Sequence, residues 1–469
     1  MLFRPDRTDF RLIGFYTGRV VGGVGLAMLV PTVLAFALGE HSDGFGFLIG
    51  ASVALIAGSL GTLLLRTRAP LRTTHGLATV ALAWLVAPLP AAIPFILSGH
   101  YASFLDAYFE AMSGFATIGL TLANDLDHMS VSVNLWRHLT HFLGGQGIVI
   151  VVLTIFAAGG GHVGSLYTGE GREEKIVPNV ISTARFIWKV ALVYGLLGTT
   201  LLWVAMLFAG LQPLSALYHA ASAFMASFDT GGFAVMSSSA AFYRSPAVEL
   251  VLIVLMLAGA FSFALHYQLW RGRQSELYRN IETRTMALSI LMLFTFALIG
   301  LARTGTFEHW SELFRHGFFQ IVSGHTSTGL GTVPGRLFLT DWGMLAPAML
   351  VTAMAIGGMA GSTAAGIKAI RVGVVLKGLR ADIRRVLLPE HAAVVETFHS
   401  TTKRILRAEQ VRQASMLLVL FVLMYLLGGL LGLFYGYDMR LALFESTAAG
   451  SGAGFSVGVV RPALEWPIK

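Results

Sequence analysis

Ala116-Thr117-Ile118-Gly119-Leu120, Asp229-Thr230-Gly231-Gly232, Thr326-Ser327-Thr328-Gly329-Leu330 and Gly450-Ser451-Gly452-Ala453-Gly454 are four glycine-punctuated segments, each beside a long apolar stretch. Gly119, Gly231, Gly329 and Gly452 are separated by 112, 98 and 123 residues, the spacing that a fourfold internal repeat with loops of variable length leaves behind. Moderately apolar stretches at 101–113, 213–226, 308–323 and 438–448 precede the segments, each too short to cross a bilayer. The recurring unit therefore reads as crossing helix, re-entrant half-helix, extended glycine segment and crossing helix. Non-helical backbone at membrane depth persists only where protein or water satisfies its polar groups, so the four segments are expected to converge on a shared aqueous axis.

Composition supports a bilayer as the solvent. Of 469 residues, 55% are hydrophobic and 12% charged, and the mean hydropathy is +0.70, values that a water-soluble domain rarely has. Cysteine is absent, which removes disulfides and thiolate metal sites. Apolar spans of membrane-crossing length fall at about 12–39, 45–65, 76–98, 134–159, 182–210, 246–270, 285–302, 342–375 and 413–436. They number nine, or ten if 342–375 is two pieces. The first follows Arg4, Arg7 and Arg11 like a signal peptide, but it is too long and lacks a small-residue cleavage site, so it reads as retained. Threading the spans from a cytoplasmic N-terminus puts 25 of the 33 Lys and Arg on the inner side, as the positive-inside rule asks. All four glycine segments then lie outside. The net charge of +8 thus reports orientation, and nucleic acid is not an expected partner.

These readings predict an all-α polytopic membrane protein: four helix, half-helix, helix repeats around a central pore, plus two N-terminal helices. The expected divisions are 1–73 (the N-terminal pair), 74–165, 166–280 and 281–376 (repeats one to three), 377–412 (a basic linker) and 413–469 (repeat four). The segments offer Thr, Ser, Gly and backbone carbonyls, which can replace the hydration shell of a weakly hydrated monovalent cation such as potassium. The candidate ion-binding residues are Thr117, Ile118 and Gly119; Asp229, Thr230 and Gly231; Thr326, Ser327, Thr328 and Gly329; and Ser451 and Gly452. They would act through backbone carbonyls, without a side-chain metal site. Glycine at 119, 231, 329 and 452 is expected to take angles that a Cβ would forbid. Any one segment alone reads better as a loop turn; four at one place in the unit point to a filter.

The chain carries Glu110-Ala-Met-Ser-Gly-Phe-Ala-Thr-Ile-Gly119, Trp136-Arg137 with Gly144-Gly145-Gln146-Gly147-Ile148, Phe263-Ala-Leu-His-Tyr267 and Gly357-Gly358-Met-Ala-Gly361-Ser362-Thr363-Ala-Ala-Gly366-Ile367-Lys368. On these residues it resembles the Trk/Ktr/HKT superfamily of potassium transporters over almost its whole length. The two extra N-terminal helices resemble the TrkH/TrkG branch. The resemblance implies that each repeat donates one filter strand and that glycine at 119 goes with potassium preference, where serine goes with sodium. It also implies an intramembrane loop that obstructs the pore beneath the filter, here Gly357, Gly358, Gly361, Ser362, Thr363, Gly366 and Lys368. Further implications are a homodimer in the bacterial cytoplasmic (inner) membrane and a cytoplasmic ring of TrkA-like RCK subunits. Any regulatory nucleotide would bind that partner, so this chain is expected to hold no cofactor, with K+ as its cargo. Channel-like conduction and ion-coupled symport both remain open.

Other features are weaker. Gly361 to Lys368 nearly matches a P-loop, but Ile367 intrudes before the lysine and Ala369 replaces the magnesium-binding hydroxyl. Lys368 either faces the pore or, slightly better by position, snorkels to the interface. Asp229 either attracts cations near the mouth or caps its own turn. Asp106, Glu110, Asp125 and Asp127 make the first repeat's outer side acidic, and such residues are usually solvated. His138 and His141, three residues apart, have a spacing a metal could use, but without further ligands nearby they read as interfacial or core histidines, and His266 reads as a packing or subunit-contact residue. The stretch 377–412 is basic with a helical pattern interrupted at Pro389, and its charge suits anionic lipid heads. No catalytic constellation rises above chance, so an enzyme is not expected. The alternative is a secondary transporter whose broken helices bind sodium or a small solute. In the resembled family a further helix completes repeat four; no crossing span follows 413–436 before Lys469, so repeat four is expected to be incomplete, as in a truncated chain.

Overall fold

The computed structural model describes residues 6–67, 69, 72–147, 180–389, 395–462 and 464. Helix α1 (Arg7–Leu38) starts at a reciprocal cap, where the Asp9 amide donates to Asp6 Oδ1 and the Asp6 amide to Asp9 Oδ2, and stops at Gly39, whose φ is 79°. It packs along α2 (His41–Leu64) through glycines: a Cβ on Gly58 would lie 2.6 Å from the Gly22 amide nitrogen. Small residues of this kind let helix backbones approach where lipid offers no hydrophobic drive for association.

Next come α3 (Thr73–Val86), α4 (Pro88–Leu97), the short α5 (Phe104–Phe115) and α6 (Val131–Gly145). After residues 148–179 follow α7 (Val180–Phe208), the short α8 (Pro213–Phe228), α9 (Pro246–Ala260), α10 (Phe263–Trp270) and the single turn α11 (Glu276–Arg279). The chain continues with α12 (Ile281–Thr304), the short α13 (Trp310–His325), α14 (Leu337–Thr340), α15 (Leu345–Ile356) and α16 (Ala369–Leu387). It ends with strands β1 (Thr397–His399) and β2 (Lys403–Ile405), α17 (Ala408–Phe434) and the short α18 (Met439–Ser451). Long helix, short helix and glycine segment thus follow one another four times.

Among the described residues, six helices are long and apolar enough to cross a membrane, counting α3 and α4 as one span over Thr74–Leu97. The pair α9 and α10 gives a seventh if taken as one span. Two expected spans differ from this picture, and a third lies partly outside the described residues. The run 246–270 is not straight: α9 and α10 meet at 102°, and Ser262 caps the new helix by accepting from the Leu265 amide at 3.1 Å. The run 342–375 is two helices separated by a loop over 357–368. Of 134–159, only the part to Gly147 lies within the described residues, and of the 25 Lys and Arg counted on the inner side Arg4, Arg68, Arg172 and Lys175 lie outside them. The linker 377–412 also departs from its helical pattern. Helix α16 ends at Leu387, Leu388 turns extended ahead of Pro389, as the proline ring requires of its predecessor, and an antiparallel hairpin pairs Phe398 with Arg404. The described residues are therefore mostly helical, with one short hairpin.

Aromatic side chains tie the units together. Trp136 on α6 meets Phe47 of α2 edge-on at 6.3 Å and Phe115 of α5 at 6.4 Å, and its indole donates to the Ala91 carbonyl of α4 at 3.1 Å. Phe338 of α14 contacts Trp342 at 4.8 Å, Phe455 at 5.6 Å and Phe444 of α18 at 6.0 Å. Leu196, Leu291 and Leu427 on the long helices stay exposed, as lipid-facing residues do.

Candidate functional site

The short helices α5, α8, α13 and α18 all end where the glycine segments begin, and their last hydrogen bonds set a common register. The amides of Ile118, Gly231, Thr328 and Ala453 donate to the carbonyls of Ser113, Ala226, Ser323 and Ala448 at 2.9, 3.0, 2.8 and 2.9 Å. One residue earlier stand Thr117, Thr230, Ser327 and Gly452, with φ of 51°, 51°, 53° and 67°. One residue later stand Gly119, Gly232, Gly329 and Gly454, with φ of 81°, 75°, 87° and 52°. Gly119 and Gly329 take the expected place. Gly452 has the positive φ expected of it, but one residue earlier in the register, and Gly231 does not take one: Gly232 and Gly454 occupy the later place. Ala116, Asp229, Thr326 and Ser451 form the preceding position.

In this register the segments close into a ring. A Cβ on Gly119 would strike the carbonyl oxygen of Gly231, one on Gly232 that of Thr328, one on Gly329 that of Ala453, and one on Gly454 that of Ile118. Each contact passes to the next segment and the fourth returns to the first, so the four strands surround one axis. Among the described residues, no hydrogen bond is donated to the carbonyl oxygens of Thr117, Ile118, Thr230, Gly231, Ser327 or Thr328. Unpaired carbonyls in so buried a place call for a ligand. All four short helices aim their C-terminal ends at the ring, and that end of the helix dipole favours cations. Threonine at positive φ is strained, and the surrounding contacts hold Thr117 and Thr230 there.

Substitutions separate the two glycine positions of the fourth segment. Gly452→Ser places a side chain where Thr117, Thr230 and Ser327 already carry one, with only the Ala365 methyl to displace. Gly454→Ser drives one into the Ile118 carbonyl. Gly452→Ser is expected to keep at least half of the wild-type yield of folded protein and Gly454→Ser to lose nearly all of it; equal recovery by size exclusion would contradict the register.

Behind the ring lie residues that sequence reasoning misassigned or missed. Glu110, expected among solvated acids, is fully buried. Its carboxylate accepts from the Leu122 amide at 3.0 Å, Thr121 Oγ1 at 2.9 Å and Arg137 Nε at 2.7 Å. Arg137, equally buried, also donates to Asn134 Oδ1 and the Ala234 carbonyl and covers the Phe233 ring at 4.2 Å, joining the first segment to the second. Glu445 repeats the device in the fourth segment, accepting from the amides of Val457 and Val459 at 2.8 and 3.1 Å. Ser113 and Ser323 donate to the Leu120 and Leu330 carbonyls at 2.6 and 2.8 Å. The signal was available: Glu110 and Glu445 stand at one offset before Gly119 and Gly454, and Ser113 and Ser323 at another before Gly119 and Gly329.

Asp229 does not cap its own turn through its side chain. It is fully buried, and Oδ1 accepts from Gln146 Nε2 at 2.7 Å, so it bridges the end of α8 to the end of α6. Asp127 ties the loop after the first segment to the loop after the second by accepting from the Ser237 amide at 2.8 Å. His138 bonds the carbonyls of Asn134 and Phe233, His141 stacks on Phe233 at 4.1 Å, and His266 braces the bend by bonding the Ala258 carbonyl at 2.9 Å. Among the described residues, no group of three or more His, Cys, Asp or Glu is placed to hold a metal ion.

The loop 357–368 lies against the same end of the ring. Thr363 Oγ1 is 2.9 Å from the carbonyls of both Phe228 and Gly259 and 3.2 Å from Thr230 Oγ1. The Ala365 amide donates to Ser327 Oγ at 2.7 Å. The loop pairs with the broken helix beside it: Met359 donates to Ala260, Thr363 to Gly259, and Phe263 to Gly361, at 3.0–3.2 Å between backbone atoms. Glu282 accepts from the Ala360 amide at 2.7 Å, and Ser362 Oγ donates to the Met359 carbonyl. Gly357, Gly361 and Gly366 have φ of 73°, 69° and 84°, and Lys368 has 85°. Gly358 packs so closely that a Cβ would lie 2.5 Å from the Ala364 methyl. Lys368 does not snorkel: its ammonium folds back onto the Ala364 carbonyl. The amides of 359, 360, 363, 367, 368 and 369 are all given to protein acceptors, so this is no phosphate cradle.

Long apolar helices around a ring of backbone carbonyls define a multi-pass membrane protein built to handle an ion. The family model TrkH, described as a cation transport protein, matches residues 44–465, and the chain belongs to this family. It is 29% identical over 468 residues to an uncharacterized cation transporter of Methanocaldococcus jannaschii, covering 99% of this chain and 91% of that one. It is 30% identical over 378 residues to the Trk system potassium uptake protein TrkH of Halomonas elongata, covering 78% and 75%. The crystal structure of the potassium transporter TrkH from Vibrio parahaemolyticus matches with a TM-score of 0.78 at 25% identity, covering 98% of this chain and 94% of that one. These relatives are transporters and not enzymes.

Proposed function

We propose that this chain carries potassium across the cytoplasmic membrane through a selectivity filter made by the four glycine segments, acting as four repeats around one pore. The closed ring of strands supports this reading best. Undonated carbonyls of the first three segments and four helix C-termini supply partial negative charge, with the Asp229 carboxylate turned to Gln146, which suits a weakly hydrated monovalent cation. The loop 357–368 is the gate: it abuts Thr230, Ser327 and Gly452, and its bonds to the bent helix pair are individually weak enough to exchange. A homodimer with its N-terminus in the cytoplasm, regulated by an RCK-type partner that binds nucleotide, completes the proposal.

Expressed in a bacterium lacking potassium uptake, the chain should restore growth at low external potassium. Absence of rescue despite membrane expression and a suitable RCK partner would sink the proposal. A second expectation concerns the gate. Thr363→Val keeps the side-chain volume but removes the hydroxyl between Phe228 and Gly259, a net loss of about 1 kcal/mol. Uptake without the partner should rise several-fold in proteoliposomes; an unchanged basal rate would remove Thr363 from the latch.

A further inference from the structure

Away from the ring, a cavity of about 280 Å³ is lined by Arg279, Arg284, Lys377, Lys403, His399 and Phe398, among others. Four pieces of chain build it: the single turn α11, the first turn of α12, the middle of α16 and the hairpin. Two of its cations are positioned by backbone carbonyls. Arg284 Nε donates to the Tyr278 carbonyl at 2.6 Å, and Lys377 Nζ to the Thr397 carbonyl at 2.7 Å. The nearby acids are already engaged. Glu396 serves Arg384 at 2.9 Å, Lys377 at 3.6 Å and Arg380 at 4.0 Å, and Glu276 pairs with His399 at 2.8 Å. Among the described residues, Arg279, Arg284 and Lys403 form no ion pair with a carboxylate.

Like charges gathered in one concavity repel, and surface cations without a function normally spread into solvent. Here three of them, with Lys377, converge on a space large enough for a small anion. Guanidinium forks and ammonium groups together match the geometry and charge of a phosphate group. We propose that this cavity is a binding site for a phosphate-bearing anion. The anion could be a lipid headgroup or a soluble phosphate, since both present the same oxygens. Exposed Tyr278, whose carbonyl holds Arg284, is a residue type that marks a membrane interface, so a headgroup can reach this level. The site also touches both supports of the 357–368 loop: Ile281, in its wall, precedes the Glu282 that holds Ala360, and Lys377 lies on the helix that follows Lys368.

The test uses the full chain in nanodiscs of pure phosphatidylcholine, titrated with inorganic pyrophosphate, and in nanodiscs containing phosphatidylglycerol. The readouts are calorimetric binding and thermal unfolding. The triple variant Arg279→Gln/Arg284→Gln/Lys403→Gln should weaken the response at least tenfold in whichever arm shows one, and added salt should weaken it in the wild type. Lys403→Glu alone, on the exposed hairpin, should act in the same direction if the triple variant folds poorly, while Arg385→Gln, outside the cavity, should change nothing. A response to pyrophosphate alone assigns a soluble phosphate, and one to phosphatidylglycerol alone assigns a headgroup. Equal responses of wild type and variants in both arms overturn the proposal. So does binding of a polyglutamate peptide that alone depends on these residues, which would make the cavity a protein-docking site.

Discussion

Gly119→Ser is expected to lower the ratio of potassium to sodium uptake at least tenfold, equivalent to about 1.4 kcal/mol. Two effects act together. Gly119 has φ of 81°, where a residue with a Cβ costs roughly 1–2 kcal/mol. The new Cβ also points at the Gly231 carbonyl, one of the oxygens to which no described residue donates a hydrogen bond. That carbonyl must rotate or the first strand must flatten, and either changes the spacing of the carbonyls that the proposed filter uses to discriminate between two monovalent cations. The measurement is uptake of each cation by cells lacking their own potassium transporters, in competition. Wild-type selectivity at wild-type rates in the variant would mean that Gly119 does not shape the ion path.

Glu110→Ala should abolish recovery of folded protein or lower its thermal midpoint sharply. The carboxylate is the ion-pair partner of Arg137, and both side chains are fully buried. Removing one member of such a pair costs about 3–5 kcal/mol, because the remaining charge stays desolvated and unmatched. The Leu122 amide loses its acceptor as well. Arg137 would keep Asn134 and the Ala234 carbonyl, which are neutral and insufficient. The double variant Glu110→Leu/Arg137→Met should recover part of the loss, since neither charge is then stranded. Glu445→Ala should be milder, because Glu445 accepts from amides and Ser456 without a described cationic partner. Size-exclusion profiles against temperature check all three. A Glu110→Ala protein as stable as its parent would show that the pair is not structural.

Much of the architecture was legible because a bilayer imposes length. The short helices expected at 101–113, 213–226, 308–323 and 438–448 occur at Phe104–Phe115, Pro213–Phe228, Trp310–His325 and Met439–Ser451. Their C-terminal ends were drawn two or three residues early, and that error mattered. Apolar content falls off gradually, whereas a helix stops where the backbone must turn to positive φ. Aligning the segments on glycine alone therefore chose Gly231 and Gly452, each of which has a second glycine within two residues. The loop at 357–368 was visible from its glycines. The bend at Phe261–Ser262 was not, since neither residue is a helix breaker. It persists because the loop supplies hydrogen-bond partners to Ala260 and Phe263 from a hundred residues away.

The sequence by itself determined which stretches must be buried in lipid, which were too short to cross, and that four polar, glycine-bearing breaks recur beside them. Those properties follow from composition and local length, and a single chain displays them directly. Only the tertiary structure decided the register of the ring, the burial of Glu110, Arg137 and Asp229, and the backward fold of Lys368. Each depends on which carbonyl, amide or charge lies opposite, and those partners come from other segments: Gly231 faces Gly119, Gln146 faces Asp229, and Ser327 holds Ala365.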